Sequence, residues 1–88
     1  MVSRTLTILN ASGFHARPAG LFVETAGRYR CGITVRHGQA KADGKSILGL
    51  MLLGVTGGAE ITIEAAGEDE AEALAALAGL VERRFDEP

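Results

Sequence analysis

Apolar residues in this chain recur first at every second position, then at every third or fourth, and the switches between these periods mark out its elements. From Val2 to Leu9, Leu6 and Ile8 alternate with Thr5 and Thr7, which predicts a strand with one apolar face. Asn10-Ala11-Ser12-Gly13 has the chemistry of a loop. From Ala16 to about Gly27, Ala19, Phe22, Val23 and Ala26 fall on one stripe of a helix. The opposite face holds Arg17, Gly20, Leu21, Glu24 and Arg28. The small residues Ala16 and Gly20 leave the start of that face open to close approach by another protein.

Gly32 to Arg36 reads as a second strand with Ile33 and Val35 inward, and His37-Gly38-Gln39 as a hairpin turn into a short third strand, Ala40 to Asp43. His37 is therefore expected at a solvated loop tip. Gly57-Gly58 leads into a fourth strand, Ala59 to Ala66, with Ile61 and Ile63 inward and Glu60, Thr62 and Glu64 outward. From about Asp69 to Arg84 a helical stripe returns at Leu74, Leu77, Ala78 and Val81. Glu68, Asp69, Glu70 and Glu72 at its start, with Arg83 and Arg84 at its end, complement the helix dipole and need no ligand to explain them.

Between the third and fourth strands, Ser46 is suited to cap a short helix and Gly54 to stop it. At about 100° per residue, Leu50 and Leu53 fall on one side, and Ile47, Leu48, Met51 and Leu52 on the other. A two-turn helix lying on a sheet buries only one side, so the second is expected as an exposed apolar patch of the kind that marks protein contacts. Four half-polar strands with helices between them predict an α+β fold. The expected architecture is an open-faced β-sandwich, in which a four-stranded antiparallel sheet carries three helices on one face in the order βαββαβα.

Composition narrows the function classes. The 88 residues are 47% hydrophobic and 23% charged with a formal charge of -2, which fits one domain spanning 1–88 and lacks the basic footprint of nucleic-acid binding. Cys31 is the single cysteine, so no intrachain disulfide forms, and a small core residue is its expected role. The longest apolar run, Ile47 to Val55, is too short to cross a bilayer, and the N-terminus lacks a signal-like apolar core. These features favour a cytoplasmic protein without membrane association. His15, His37 and Cys31 lack metal-ligand spacing, so neither metal nor cofactor is expected.

The chemistry concentrates at Gly13-Phe14-His15-Ala16-Arg17-Pro18. Proline is tolerated in the first turn of a helix, where amides lack intrahelical partners. A helix starting near Ala16 therefore accommodates Pro18 and leaves N–H donors, and the positive end of its dipole, beside His15. Arg17 adds a guanidinium able to grip phosphate oxygens in pairs. Imidazole, with a reference pKa of ~6.5, is a nitrogen nucleophile at neutral pH. Together these residues suggest phosphoryl chemistry on His15. The plainer reading is a flanking histidine beside a surface arginine, and six residues alone do not exclude it.

With the element order and two motifs in hand, a resemblance decides between those readings. Gly-Phe-His-Ala-Arg-Pro-Ala at 13–19 and Lys-Ser-Ile-Leu-Gly-Leu-Met at 45–51 resemble HPr, the histidine-containing phosphocarrier family of the bacterial phosphoenolpyruvate:sugar phosphotransferase system. The resemblance covers nearly the whole chain. It implies that His15 accepts a phosphoryl group on Nδ1 from phosphorylated enzyme I and passes it to a histidine of an enzyme IIA. Such a protein is a carrier with a covalent phosphohistidine, not an enzyme. Ala16, Arg17 and Pro18 would form the phosphate-binding helix start, and Gly20, Leu21, Glu24, Ile47, Leu48, Met51 and Leu52 the partner surface of a monomer.

The resemblance also implies regulation at Ser46 by HPr kinase/phosphorylase, with the phosphoserine form acting beside a catabolite control protein. Gly20, Glu24 and Leu52 depart from the commoner family residues, which bears on partner choice rather than on the phosphate site. The alternative within the family is a paralogue with a mainly regulatory role, in nitrogen-type signalling or catabolite repression. Outside it, Gly44-Lys45-Ser46 ends like a phosphate-binding loop, but the glycine that motif requires five positions earlier is Gln39. An RNA-binding sheet would need exposed aromatics, whereas the chain has three phenylalanines and one tyrosine and its outward positions are Thr, Arg and Glu.

Overall fold

The computed structural model describes residues 1–86, so the last two positions of the expected 1–88 domain lie outside the described residues. Its elements are β1 (Val2–Thr7), α1 (Ala16–Ala26), β2 (Gly32–His37), β3 (Ala40–Asp43), α2 (Ile47–Leu52), β4 (Glu60–Ala66) and α3 (Glu70–Glu82), followed by a short turn at Arg84–Asp86. The strands form one antiparallel sheet in the order β1-β4-β2-β3. Alternation sets which face is covered. Leu6, Ile33, Val35, Ile61, Ile63 and Ala65 are buried, while Thr5, Arg36 and Glu60 face outward. On the covered side α3 lies over β1 and β4, α2 sits against β3, and α1 packs on both other helices. This is the expected open-faced α+β architecture with the expected element order.

Several boundaries move, each for a visible reason. β1 ends at Thr7, because the Ile8 amide and carbonyl turn to Ala59 and Gly58 in the loop before β4, and Leu9 is left exposed. Arg83 and Arg84 fall past the end of α3 and so do not load its last turn. Arg84, Phe85 and Asp86 instead adopt positive φ of 58°, 54° and 58°, a left-handed turn that buries Phe85 completely. The α3 stripe is also wider than expected. Ala73 and Leu80 are buried with Leu77, Ala78 and Val81, whereas Leu74 is half-exposed.

The acidic start of α3 does more than balance a dipole. Asp69 sits at the N-cap without capping, because its carboxylate accepts the Arg30 amide at 2.8 Å and the Cys31 amide at 2.9 Å. The loop after α1 is thereby tied to α3. Glu70 accepts the Gly67 amide at 3.1 Å and pairs with the N-terminal ammonium at 3.2 Å. These bonds favour the ionised forms. The Arg30 amide foremost holds the Asp69 carboxyl below the usual carboxylate range, and the Gly67 amide and the N-terminus do so for Glu70. Cys31 is buried as expected, and burial, with Asp69 nearby, pushes its thiol pKa up.

Because the folded-state pKa of Asp69 lies below its unfolded value, its contribution is complete above the ordinary value of 3.8 and is lost as pH falls through and below it. Asp69→Asn should therefore lower the urea midpoint at neutral pH. The gap to the wild type should close as the titration descends below that value.

Candidate functional site

His15 is the N-cap of α1, with extended φ and ψ of -85° and -171°, and its carbonyl accepts the Ala19 amide at 3.0 Å. Its ring lies on an exposed residue and makes no capping bond to the first turn. Ala16 and Arg17, the first two helical residues, have amides outside the i→i−4 ladder, and Pro18 has none to offer. Pro18 is buried and anchors the turn, while Ala16 and Arg17 are exposed. The first turn of α1 therefore offers two backbone donors outside the helical ladder, with His15 and Arg17 both exposed.

The electrostatics of α1 run against its own stability. It has no acidic residue in its first turn and no basic residue in its last, while Arg17 puts a positive charge at the positive end of the dipole. By contrast α3 begins with Glu70 and Glu72. An anion at the start of α1 would relieve what its own side chains leave uncompensated.

A set of loop contacts fixes where His15 stands. Gly13 has a φ of 59°, and a Cβ there would collide with the Val55 carbonyl oxygen. The next amide, that of Phe14, donates to the same carbonyl at 3.3 Å. Asn10, buried, donates from its carboxamide to the Gly13 carbonyl at 2.9 Å. The Phe14 ring then enters the core in edge contact with Phe22 and Phe85, at centroid separations of 5.5 and 5.7 Å. Asn10, Val55 and Phe85 were not singled out from the sequence. The one available hint was Phe85, a lone aromatic in an otherwise charged tail.

The second motif also takes its expected shape. Ser46 caps α2, accepting the Gly49 amide at 3.0 Å, and Asp43 sets the approach by accepting the Lys45 amide at 2.9 Å. Gly49 leaves room for that cap, since a Cβ there would stand 3.2 Å from the Ser46 hydroxyl. Leu50 is fully buried and Leu53 nearly so, whereas Leu48 is 66% and Leu52 76% exposed, with Ile47 and Met51 also outward. On α1, Gly20 and Leu21 are half-exposed and Glu24 is exposed, pairing with Arg28 at 3.3 Å. No heavy atom lies within 4 Å of where a Gly20 Cβ would sit, so its small size answers no internal contact.

One expectation is corrected. His37 is not a solvated loop tip but the last residue of β2, half-buried, with Nδ1 3.1 Å from the Leu53 carbonyl. A carbonyl only accepts, so Nδ1 bears the hydrogen, and the ring ties the β2–β3 hairpin to the end of α2. A surface depression on the open sheet face is lined by residues that include Thr34, Arg36, Lys41, Asp43 and Glu64, and His15 is not among them. Among the described residues no cluster of His, Cys, Asp and Glu could hold a metal ion, and no helix is long and apolar enough to cross a membrane.

Comparison with known proteins adds a decisive observation: the family pattern described as "PTS HPr component phosphorylation site" matches residues 2–83. The chain belongs to the HPr family. It is 44% identical to the phosphocarrier protein HPr of Pseudomonas aeruginosa over 88 residues, covering 99% of this chain and 98% of that one. It is 43% identical to the HPr-like protein Crh of Bacillus subtilis, covering 93% of this chain and 96% of the relative. The crystal structure of HPr-C-His from Thermoanaerobacter tengcongensis superposes with a TM-score of 0.97 at 44% identity, over 100% of this chain and 99% of that one. HPr proteins are phosphocarriers of the phosphotransferase system, carrier proteins rather than classical enzymes, and the Crh relative links this family to catabolite repression.

The Ser46 cap is separable from any modification. Ser46→Ala should cost roughly 1 kcal/mol of stability through the lost cap. Hydrogen exchange at the Gly49 amide should accelerate well beyond that in β4.

Proposed function

We propose that this chain accepts a phosphoryl group on His15 Nδ1 from phosphorylated enzyme I and delivers it to a histidine of an enzyme IIA. The observation that carries this reading is the placement of an exposed imidazole as N-cap of a helix whose first turn holds free amides, an arginine and no acid. In each transfer one bond to phosphorus breaks on the donor as the P–N bond forms on the acceptor nitrogen, roughly in line. The Ala16 and Arg17 amides and the Arg17 guanidinium hold the phosphoryl oxygens and stabilise their charge during the transfer. Pro18 fixes the helix start. The exposed side of α2 (Ile47, Leu48, Met51 and Leu52), with Gly20, Leu21 and Glu24 of α1, forms the surface on which both partners dock. Met51 suits a face that must fit more than one protein.

A second reading, regulation through Ser46, is favoured by the Crh relative and by the Lys45–Met51 motif. A phosphate on Ser46 would replace the hydroxyl at the start of α2 with about -2 of charge beside the apolar patch. It would weaken docking without refolding the helix. His15 itself argues that carriage is the primary role, with regulation laid over it.

Incubation with phosphoenolpyruvate and enzyme I should label the wild type with an acid-labile, alkali-stable phosphate. His15→Ala should abolish that labelling, and unchanged labelling would remove the assignment. Arg17→Ala should slow transfer by about 10²-fold without abolishing it. With HPr kinase and ATP, Ser46→Ala should lose the labelling that His15→Ala retains.

Docking can be probed apart from chemistry. Leu48→Asp should change folding stability by no more than about 0.5 kcal/mol, because the residue is exposed. It should weaken enzyme I binding by about tenfold or more in a titration.

A further inference from the structure

The turn that follows α3 has an unusual backbone. Three consecutive non-glycine residues, Arg84, Phe85 and Asp86, hold positive φ, a region that side chains other than glycine enter at a cost. The middle one is a phenylalanine with no exposed surface. Such a backbone persists only where surrounding contacts over-determine it. Here those contacts are identifiable. The Asp86 amide donates to the Arg83 carbonyl at 3.0 Å, Arg83 pairs with the Asp86 carboxylate at 3.4 Å, and the Phe85 ring meets the edge or face of Phe14 at 5.7 Å.

Phe14 immediately precedes His15. Its ring is held between Phe22, in the middle of α1, and Phe85, from the opposite end of the chain. Its amide is held by Val55, and the preceding glycine has no room to shift. The backbone at residue 14 is thus pinned on the sheet side by a loop and on the core side by two rings. Of the two rings, Phe22 belongs to the helix that His15 caps and moves with it. Phe85 belongs to α3's extension and supplies a fixed reference from outside that helix.

We propose that Phe85 is a positioning residue for His15: the left-handed C-terminal turn drives its ring against Phe14 and so sets the direction in which the imidazole leaves the helix mouth. This rests on the reading that His15 carries the phosphoryl group. Phe85 touches neither phosphate nor partner, and its effect passes through Phe14. In-line transfer between two imidazoles is sensitive to the angle at which each presents its nitrogen, so loosening Phe14 should lower the transfer rate more than partner affinity.

Phe85→Leu keeps an apolar side chain in the site but removes the ring contact. It should lower kcat for phosphoryl transfer from enzyme I by about 10- to 100-fold, the scale of a small misplacement of a reacting group, with KM little changed. The His15 ring resonances should shift in NMR spectra. Ile63→Val, a core truncation in the sheet, should lower the melting temperature while leaving both readouts at wild-type values. Arg84→Gly, which suits a φ of 58°, should raise the melting temperature and restore folding to Phe85→Leu if that variant is destabilised. In the double variant the transfer rate should stay low. A folded Phe85→Leu protein with wild-type kcat and unshifted His15 resonances overturns the proposal, as does recovery of the rate in the double variant along with its stability. A wild-type protein that takes no label on His15 would instead defeat the phosphocarrier reading on which the proposal stands.

Discussion

The seam between the 8–14 segment and the 55–59 segment governs where everything else in the molecule can stand. Ile8 exchanges bonds with Ala59 and Gly58 at 2.8 Å each, Gly57 donates to Ala11 at 3.1 Å, and Phe14 donates to Val55 at 3.3 Å. Two chain segments far apart in sequence thereby stay tied together beyond the point where the β1–β4 ladder breaks off. They deliver the chain to the first turn of α1 at a fixed point. Without this seam, His15 would sit on a loop, and its relation to the amides of Ala16 and Arg17 would be statistical. With it, the N-cap geometry of His15 follows from sheet register. The glycine at 13 belongs to the same constraint, since the approach of residue 13 to Val55 leaves no space for a side chain.

Against that rigid frame, the helices differ in how their starts are compensated, and the difference separates scaffold from site. α3 begins with acids, two of which also tie down the 30–31 loop and the N-terminus, so its start is internally satisfied. α2 begins with a serine cap that uses its hydroxyl on the Gly49 amide. α1 alone opens with a cation and a proline. A folding sequence selected only for stability would place Asp, Ser or Thr before that helix and a carboxylate in its first turn. The departure from that preference is concentrated at the residues to which we assign chemistry, where a local inconsistency is expected.

The parts of this arrangement that could be read from the sequence are those in which one period dominates. The alternation at Leu6–Ile8, Ile33–Val35 and Ile61–Ile63 placed three strands on the right faces, and the spacing of Ala19, Phe22 and Ala26 placed α1. The two-sided apolar pattern of α2 separated Leu50 from Leu48 and Leu52 because a helix that short has only one buried side. What stayed hidden depends on partners distant in sequence. Nothing local to Asp69 says that its carboxylate will serve the amides of residues 30 and 31 rather than its own helix. His37 looks like a turn residue until the end of α2 is brought beside it, and Phe85 looks like tail until Phe14 is found beneath it. In the candidate site, the residues to which we assign chemistry lie in one hexapeptide, while the supports that hold it come from three other places in the chain.

Exposure and the small number of donors at His15 bear on how such a site could work as a relay. A carrier that bound its phosphoryl group tightly would lower the free energy of the loaded state and slow the onward step, since interactions shared by ground and transition states do not accelerate transfer. The mouth of α1 is suited to moderate holding: Pro18 removes one first-turn donor, leaving the amides of Ala16 and Arg17, and His15 is an exposed residue. If the phosphoryl group is carried on His15 as proposed, most of the catalytic stabilisation must come from the partner in each transient complex. The free protein then needs only to keep the nitrogen in position. On that reading the rings that hold Phe14 lie in the core beneath residue 15, and the exposed apolar side of α2 belongs to a helix packed directly against α1.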